Sequence, residues 1–148
     1  MNIQDLLSAS RVNFNLQANT KLGVIDELID SLAADGKLSD KEQYKAAVLR
    51  REKEFSTGIG MGIAIPHAKD ASVKEAALTL GISKQGIDYE ALDGTAAHLF
   101  FLIAVPADSN DVHLKVLSYI SRKLMHEEVR ESLLAAQSYE DVLAAFNG

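Results

Sequence analysis

The sequence predicts an α/β fold, a three-layer sandwich in which a mixed central β-sheet is flanked by helices on both faces. Strand-like and helical segments alternate along the chain, which is the order expected when helices pack on a sheet. Residues 98–105 form a continuous apolar run, which is typical of a strand covered on both faces. No repeat, low-complexity tract or proline-rich linker interrupts the 148 residues, so we expect a single domain over residues 1–148.

The first third of the chain predicts one strand and two helices. Alternating apolar residues over 12–16 indicate a half-buried strand. Apolar residues at helical spacing over 22–32 indicate a helix, and Gly36 supplies the left-handed residue that ends it. A capping box, S-D-K-E, starts at Ser39 and predicts a second helix from there to about Phe55.

The apolar stripe of this second helix, formed by Tyr44, Ala47 and Val48, continues into Arg51. An arginine at the end of such a stripe is expected at the rim of the core. One interpretation is structural: the aliphatic part of the Arg51 side chain packs along the core, or the guanidinium pairs with a carboxylate. The other is that its guanidinium binds an anion.

Residues 56–68, S-T-G-I-G-M-G-I-A-I-P-H-A, carry the most informative pattern in the chain. Glycines in this stretch let the backbone come close to a ligand or partner. Pro66 is expected to end a short apolar strand over 63–65 and to hold the residue before it extended. His67 is therefore predicted to lie in a loop, presented outward rather than packed.

The middle of the chain predicts two long strands. They cover residues 76–83 and 98–105, and turn-forming pairs at 85–86 and 93–94 separate them. Pro106 is expected to end the second strand. Because that strand is apolar throughout, we expect it at the centre of the sheet.

Three helices are predicted to complete the chain. The first runs from about residue 112 to 125, and His113 stands in its first turn at the head of the core-facing stripe. Two shorter helices are predicted over 128–136 and 139–146, the last one capped by Ser138.

The composition excludes several classes of function. A formal net charge of −6 opposes binding to the phosphates of nucleic acid. The chain has no cysteine, which excludes disulfides, thiolate metal sites and cysteine nucleophiles within it. No apolar run of membrane-spanning length and no secretory signal is seen, so we expect a cytoplasmic protein without direct membrane insertion.

Neither a metal nor a cofactor is predicted. The histidines lack the H-x-H and H-x-x-x-H spacings of metal sites, and His98 and His126 are interpreted as structural. The glycines precede a strand instead of opening a helix, and no G-x-x-x-x-G-K-[ST] loop is present, so nucleotide binding is not expected.

His67, His113 and Arg51 are predicted to meet at one edge of the sheet and to carry phosphoryl chemistry. A neutral imidazole is a competent nucleophile toward phosphorus. A helix amino terminus stabilises an anion and disfavours a charged His113, and the Arg51 guanidinium neutralises phosphoryl oxygens. Taken singly, the residues also have plainer interpretations as a surface histidine, a half-buried histidine and a solvated arginine.

These residues stand in segments that resemble the enzyme IIA domains of the mannitol/fructose class (type 2) in the bacterial phosphoenolpyruvate-dependent sugar phosphotransferase system. The likeness covers nearly the whole chain and is closest to the fructose branch. The matching segments are R-E-K at 51–53, S-T-G-I-G at 56–60, G-I-A-I-P-H-A at 62–68, D-Y-E-A-L-D-G at 88–94, V-P at 105–106 and H-L at 113–114.

The resemblance implies a phosphoryl relay. His67 would accept phosphate from the phosphohistidine of the phosphocarrier protein HPr and pass it to a cysteine of enzyme IIB, which works with a membrane enzyme IIC in the uptake of a fructose-like sugar. His113 and Arg51 match the second histidine and the arginine around the phosphorylated residue. The alternative is a regulatory binding protein of the nitrogen branch, whose phosphorylation state controls protein partners, and a plain structural module is a third interpretation.

Overall fold

Six strands form one mixed sheet within residues 2–109 and 111–147, which are the residues that the computed structural model describes, apart from the side chain of His113. The strands are β1 Val12–Asn13, β2 Gly58–Gly60, β3 Ile63–Ala64, β4 His67–Asp70, β5 Ala77–Ile87 and β6 Ala97–Pro106. The α-helices are α1 Lys21–Ala34, α2 Lys41–Glu54, α3 Val112–Leu124, α4 Glu127–Ala135 and α5 Tyr139–Asn147.

Strand β6 lies in the middle of the sheet. On one side it pairs antiparallel with β5, which in turn pairs parallel with β1. On the other side β3 and β4 both run parallel to β6, and β2 lies antiparallel to β3. β1 is shorter than predicted because Asn13 Oδ1 accepts a hydrogen bond from the backbone N–H of Asn15 at 2.9 Å and turns the chain. The predicted mixed sheet is confirmed.

The side chains of β6 point alternately into two helical layers, as the period of a strand requires. Phe101 and Ile103 belong to the core under α3, α4 and α5. Phe100 and Leu102 belong to the core under α1 and α2. These four residues are at most 1% exposed, so burial on both faces accounts for the continuous apolar run. The predicted three-layer sandwich is confirmed.

Strands β3 and β4 are two parts of one interrupted strand. Ile63 pairs with Leu99 in β3, and His67 pairs with Ile103 in β4, so the register against β6 is the same before and after Pro66. Pro66 has no N–H to give to the ladder, but its carbonyl still accepts from Ile103 N at 3.0 Å. Strand β3 ends before Pro66, close to where it was predicted to end, but His67 begins β4, so the prediction that His67 lies in a loop is wrong.

The ends of the first two helices follow local capping chemistry with one difference from prediction. Gly36 follows α1 with φ of 70°, as predicted. The N-cap of α2 is Asp40 and not Ser39, because Asp40 Oδ1 accepts from the backbone N–H of Gln43 at 3.0 Å. The Ser39 hydroxyl instead donates to the carbonyl of Ser72 at 3.2 Å. A contact with a distant segment thus decides which residue caps the helix.

The turn predicted at Gly86 lies inside strand β5. Ile87 still pairs with Ala97 across a break in register, and Gly86 adopts φ of 85° at this irregularity. The second predicted turn is confirmed, because the N–H of Gly94 donates to the carbonyl of Ala91 at 3.0 Å.

Candidate functional site

His67 is the first residue of β4 and is only 6% exposed. Its side chain points to the same face of the sheet as those of Ile63 and Ile65, which lie in the core beneath α3, α4 and α5. The prediction that His67 is presented outward is wrong, because His67 pairs with Ile103 of β6 and its ring is held against the sheet.

The tautomer of the His67 ring follows from one hydrogen bond. Nδ1 lies 2.7 Å from the carbonyl oxygen of Ile65. A carbonyl oxygen can only accept, so Nδ1 carries the proton and donates it. In the neutral ring the lone pair is then on Nε2, which is the nitrogen able to act as a nucleophile.

The surroundings of His67 lower its pKa from the usual 6.5. Burial is the largest cause, and the positive charge of Arg51 acts in the same direction. The hydrogen bond to the Ile65 carbonyl and the negative charge of Glu52 act in the opposite direction. The net effect keeps the imidazole neutral, and so nucleophilic, at neutral pH.

Arg51 lies in the last turn of α2 and is half-buried. Its Nη1 donates to the carbonyl of Phe55 at 2.9 Å. Among the described side chains no carboxylate forms an ion pair with Arg51, which disfavours its interpretation as a solvated paired residue. The structure therefore places an uncompensated guanidinium close enough to His67 for its charge to act on the ring.

The sequence analysis missed the role of Glu52. This carboxylate is buried, with 9% exposure, and accepts hydrogen bonds from Thr57 N and Tyr89 Oη, both at 3.0 Å. It also accepts from Thr57 Oγ1 and forms an ion pair with Lys21 Nζ at 3.1 Å. The sequence contained an indication of this burial, because Glu52 is four residues after Val48 and so lies on the same, buried face of α2.

The prediction for His113 concerns a side chain that lies outside the part of the chain described by the structure. The backbone places residue 113 in the first turn of α3, as predicted. Val116 and Ile120 of the same helix pack in the core on the His67 face of the sheet. Helix α3 and His67 thus share one face.

The remaining two histidines have different surroundings. His98 donates its Nδ1 proton to the carbonyl of Ser83 at 2.9 Å and so links β5 to β6. His126 caps α4 and has a side chain that is 63% exposed. Within the described residues no group of three or more histidine, aspartate or glutamate side chains has the geometry of a metal site. No helix found there has the length and apolar character needed to cross a membrane.

A neutral imidazole with its lone pair on Nε2, next to an unpaired guanidinium, is suited to attack an electrophile that carries negative charge. A phosphoryl group meets that description, because the nucleophile attacks phosphorus while the cation neutralises the equatorial oxygens. Because Arg51 is half-buried, its interaction with such an anion is screened less than that of a fully exposed arginine.

Comparison with known proteins agrees with this chemistry. The family model described as "Phosphoenolpyruvate-dependent sugar phosphotransferase system, EIIA 2" matches residues 5–148. The fructose-specific EIIABC component of Bacillus subtilis is 48% identical over 99% of this chain, which spans 23% of that relative's length.

Two solved structures share the fold over nearly the whole chain. The nitrogen regulatory protein IIA-Ntr of Neisseria meningitidis is 30% identical, with a TM-score of 0.90 over 97% of this chain and 98% of that one. Enzyme IIA mannitol of Escherichia coli, solved in complex with phosphorylated enzyme IIB mannitol, is 25% identical, with a TM-score of 0.82 over 97% of this chain and 99% of that one. The chain belongs to the EIIA type 2 family of the phosphoenolpyruvate-dependent sugar phosphotransferase system, whose members are phosphotransferase components of that system.

Proposed function

We propose that the chain is a phosphoryl carrier that accepts phosphate on His67 Nε2 from the phosphohistidine of HPr and passes it to a cysteine of enzyme IIB. The observation that carries this proposal is the 2.7 Å hydrogen bond from His67 Nδ1 to the Ile65 carbonyl, which leaves the lone pair of the neutral ring on Nε2. The guanidinium of Arg51 supplies the charge that the incoming phosphoryl oxygens require.

The two transfers conserve atoms and electron pairs. In the first, the Nε2 lone pair forms a bond to phosphorus while the P–N bond of the donor breaks and its electron pair returns to the donor ring. The His67 ring then gains positive charge, which the Ile65 carbonyl stabilises as acceptor of the Nδ1 proton. In the second, a cysteine thiolate attacks phosphorus and the electron pair of the P–N bond returns to Nε2.

The burial of His67 fits a carrier that must hold phosphate without losing it to water. His67 is 6% exposed and lies in a strand of the sheet, not at the tip of a loop. Exclusion of water slows hydrolysis of a reactive intermediate. His113, in the first turn of a helix on the same face, is proposed as the second histidine that stabilises the bound phosphoryl group.

The relatives support the proposed partners. The Bacillus subtilis relative is named as an EIIABC component, which joins an EIIA part to B and C parts in one protein. The Escherichia coli structure holds an enzyme IIA against a phosphorylated enzyme IIB. We infer that this chain is one EIIA domain over residues 1–148, that it works on the cytoplasmic side with enzyme IIB and a membrane enzyme IIC, and that the sugar is fructose-like.

A regulatory role is the second candidate. It is favoured by the similarity to IIA-Ntr of Neisseria meningitidis, which has a TM-score of 0.90. In this second candidate function His67 also carries phosphate, but its phosphorylation state controls contacts with protein partners. Transfer of phosphate to a cysteine of enzyme IIB distinguishes the two roles.

The test is phosphorylation with phosphoenolpyruvate, enzyme I and HPr, followed by addition of enzyme IIB. The wild-type chain is expected to take up an acid-labile, alkali-stable label and to lose it to enzyme IIB. His67→Ala removes the label, His113→Ala folds and is labelled slowly, and the matched variant His126→Ala behaves as wild type. Label that persists in His67→Ala contradicts the proposal, and label that stays on the chain when enzyme IIB is present favours the regulatory role.

A further inference from the structure

A chain of three hydrogen bonds connects Glu52 to the ring of His67. Glu52 Oε1 accepts from the backbone N–H of Thr57 at 3.0 Å. The carbonyl of Thr57 accepts from the N–H of Ile65 at 3.0 Å. The carbonyl of Ile65 in turn accepts from His67 Nδ1 at 2.7 Å. Thr57 and Ile65 each use their N–H in one bond and their carbonyl in the next, so each residue's backbone is fixed on both sides of its Cα atom. The carboxylate and the imidazole are therefore the two ends of one path of hydrogen bonds joined through these two residues.

Three further groups contact the Glu52 carboxylate in addition to the backbone N–H of Thr57. Thr57 Oγ1 and Tyr89 Oη donate to the carboxylate, and Lys21 Nζ lies 3.1 Å from it. Lys21 also lies 3.0 Å from a carboxylate oxygen of Glu90 and stands 4.7 Å above the ring centre of Tyr89. A buried carboxylate with this many donors has a fixed position, because loss of any donor leaves buried charge uncompensated.

The first residue of strand β2, Gly58, packs against residues 89–92, next to the Thr57 backbone that Glu52 binds. The carbonyl of Gly58 accepts from Leu92 N at 2.9 Å. A Cβ atom at Gly58 would lie 3.0 Å from the Cα of Ala91 and 3.1 Å from the ring of Tyr89. The segment around Tyr89 therefore lies directly against the backbone that leads from Thr57 into β2, and it restricts movement next to the peptide group that Glu52 binds.

We propose that Glu52 is a positioning residue for His67, which acts through the peptide groups of Thr57 and Ile65 to keep the His67 proton on Nδ1 and the lone pair on Nε2. The proposal rests on the proposed function for its consequence, since the lone pair on Nε2 is what accepts the phosphoryl group. The tautomer itself is a property of the unphosphorylated chain. Glu52 does not touch the phosphoryl group in this scheme.

The test measures the ring nitrogens of His67 by ¹⁵N NMR together with the rate of phosphate uptake from HPr. In the wild type we expect the Nδ1–H tautomer. In Glu52→Ala we expect the Nε2–H tautomer, which free histidine prefers, to become populated, and uptake to fall by about 10- to 100-fold because the nucleophile is misplaced. Glu54→Gln is the matched control, since Glu54 is an exposed carboxylate on the same helix, and it should leave both readouts unchanged.

The conservative variant Glu52→Gln separates positioning from mere support of the fold. Its side-chain oxygen can still accept from Thr57 N, so the Nδ1–H tautomer should persist. Its lost charge should lower the pKa of His67 further, because Glu52 raises that pKa while Arg51 and burial lower it. If Glu52→Ala does not fold, this variant still tests the proposal through both readouts.

Two results would overturn the proposal. One is a folded Glu52→Ala variant with an unchanged His67 tautomer. The other is a Glu52→Gln variant that has lost the Nδ1–H tautomer. Failure of the proposed function is distinguishable from both, because it would leave the NMR result intact and abolish only the phosphate uptake of the wild type.

Discussion

Two regions of this molecule contain the same three kinds of side chain and differ in how these are held. One is the edge of the sheet around β4 and the end of α2, and the other is the junction of α3 and α4. Each has a histidine, an arginine and a glutamate: His67, Arg51 and Glu52 in the first, and His126, Arg122 and Glu128 in the second.

In the first region the histidine and the glutamate are buried, the arginine is half-buried, and each of the three has a hydrogen-bond partner. His67 is 6% exposed and Glu52 is 9% exposed. In the second region the side chains of His126 and Glu128 are 63% and 80% exposed, and their nearest atoms are 3.8 Å apart. An exposed pair of this kind contributes about 0–1 kcal/mol and holds neither partner in one geometry.

The second region also has a cleft, but the cleft does not hold its histidine, arginine and glutamate in a fixed arrangement. The second region borders a cleft of about 490 Å³ whose lining includes Tyr119 and Lys123. The side chain of Arg122 is exposed to solvent, where its charge is screened. The residue types of a site are therefore less informative than the strand register and the hydrogen bonds that fix them.

The largest difference between the two regions is expected from removal of the arginine. Arg51→Leu should slow phosphate uptake from HPr by about 30- to 1000-fold, which corresponds to about 2–4 kcal/mol of lost charge stabilisation in the transition state. Arg122→Leu is the matched variant and should leave the rate unchanged. Rapid-quench measurement of uptake tests both, and equal rates in the two variants would mean that Arg51 has no part in the site.

An intermediate difference is expected in chemical reactivity. Diethyl pyrocarbonate modifies neutral imidazoles that it can reach, so the exposed His126 should react several-fold faster than the buried His67. Mass spectrometry of the peptides after timed exposure gives the two rates. Faster modification of His67 would show that its ring is reached more easily than the exposure of 6% allows.

The smallest expected difference lies in the pH dependence of stability. The pKa of His67 is lower in the folded chain than the usual 6.5, so the unfolded chain binds more protons in the window between the two values. The stability due to the neutral ring is therefore present above about pH 6.5 and lost as the pH falls through the folded pKa.

His67→Gln should flatten the fall in the free energy of unfolding below about pH 6.5, by at most about 1.4 kcal/mol per pH unit. Urea denaturation of the variant and the wild type across this window measures the change. An unchanged slope would indicate that the ring titrates in the folded chain as it does in the unfolded one.

The order of the helices and of the long strands, and the residues worth testing, were readable without coordinates. Apolar periodicity predicted the helices that became α1 to α5, and the continuous apolar run predicted the central strand β6. His67 and Arg51 stood out because their residue types and local motif suit phosphoryl chemistry. These features depend on neighbours within one or two turns of chain, which a sequence displays directly.

The tertiary structure decided the burial, the hydrogen-bond partners and the pKa of those residues. Pairing of β4 with β6 kept His67 in the sheet where a proline was expected to end the strand. Contacts with Thr57, Tyr89 and Lys21 turned Glu52 from one acid in a charged helix into the anchor of a path to His67. Burial, tautomer and pKa depend on which distant segments come together and in what register, and that is settled only when the whole chain packs.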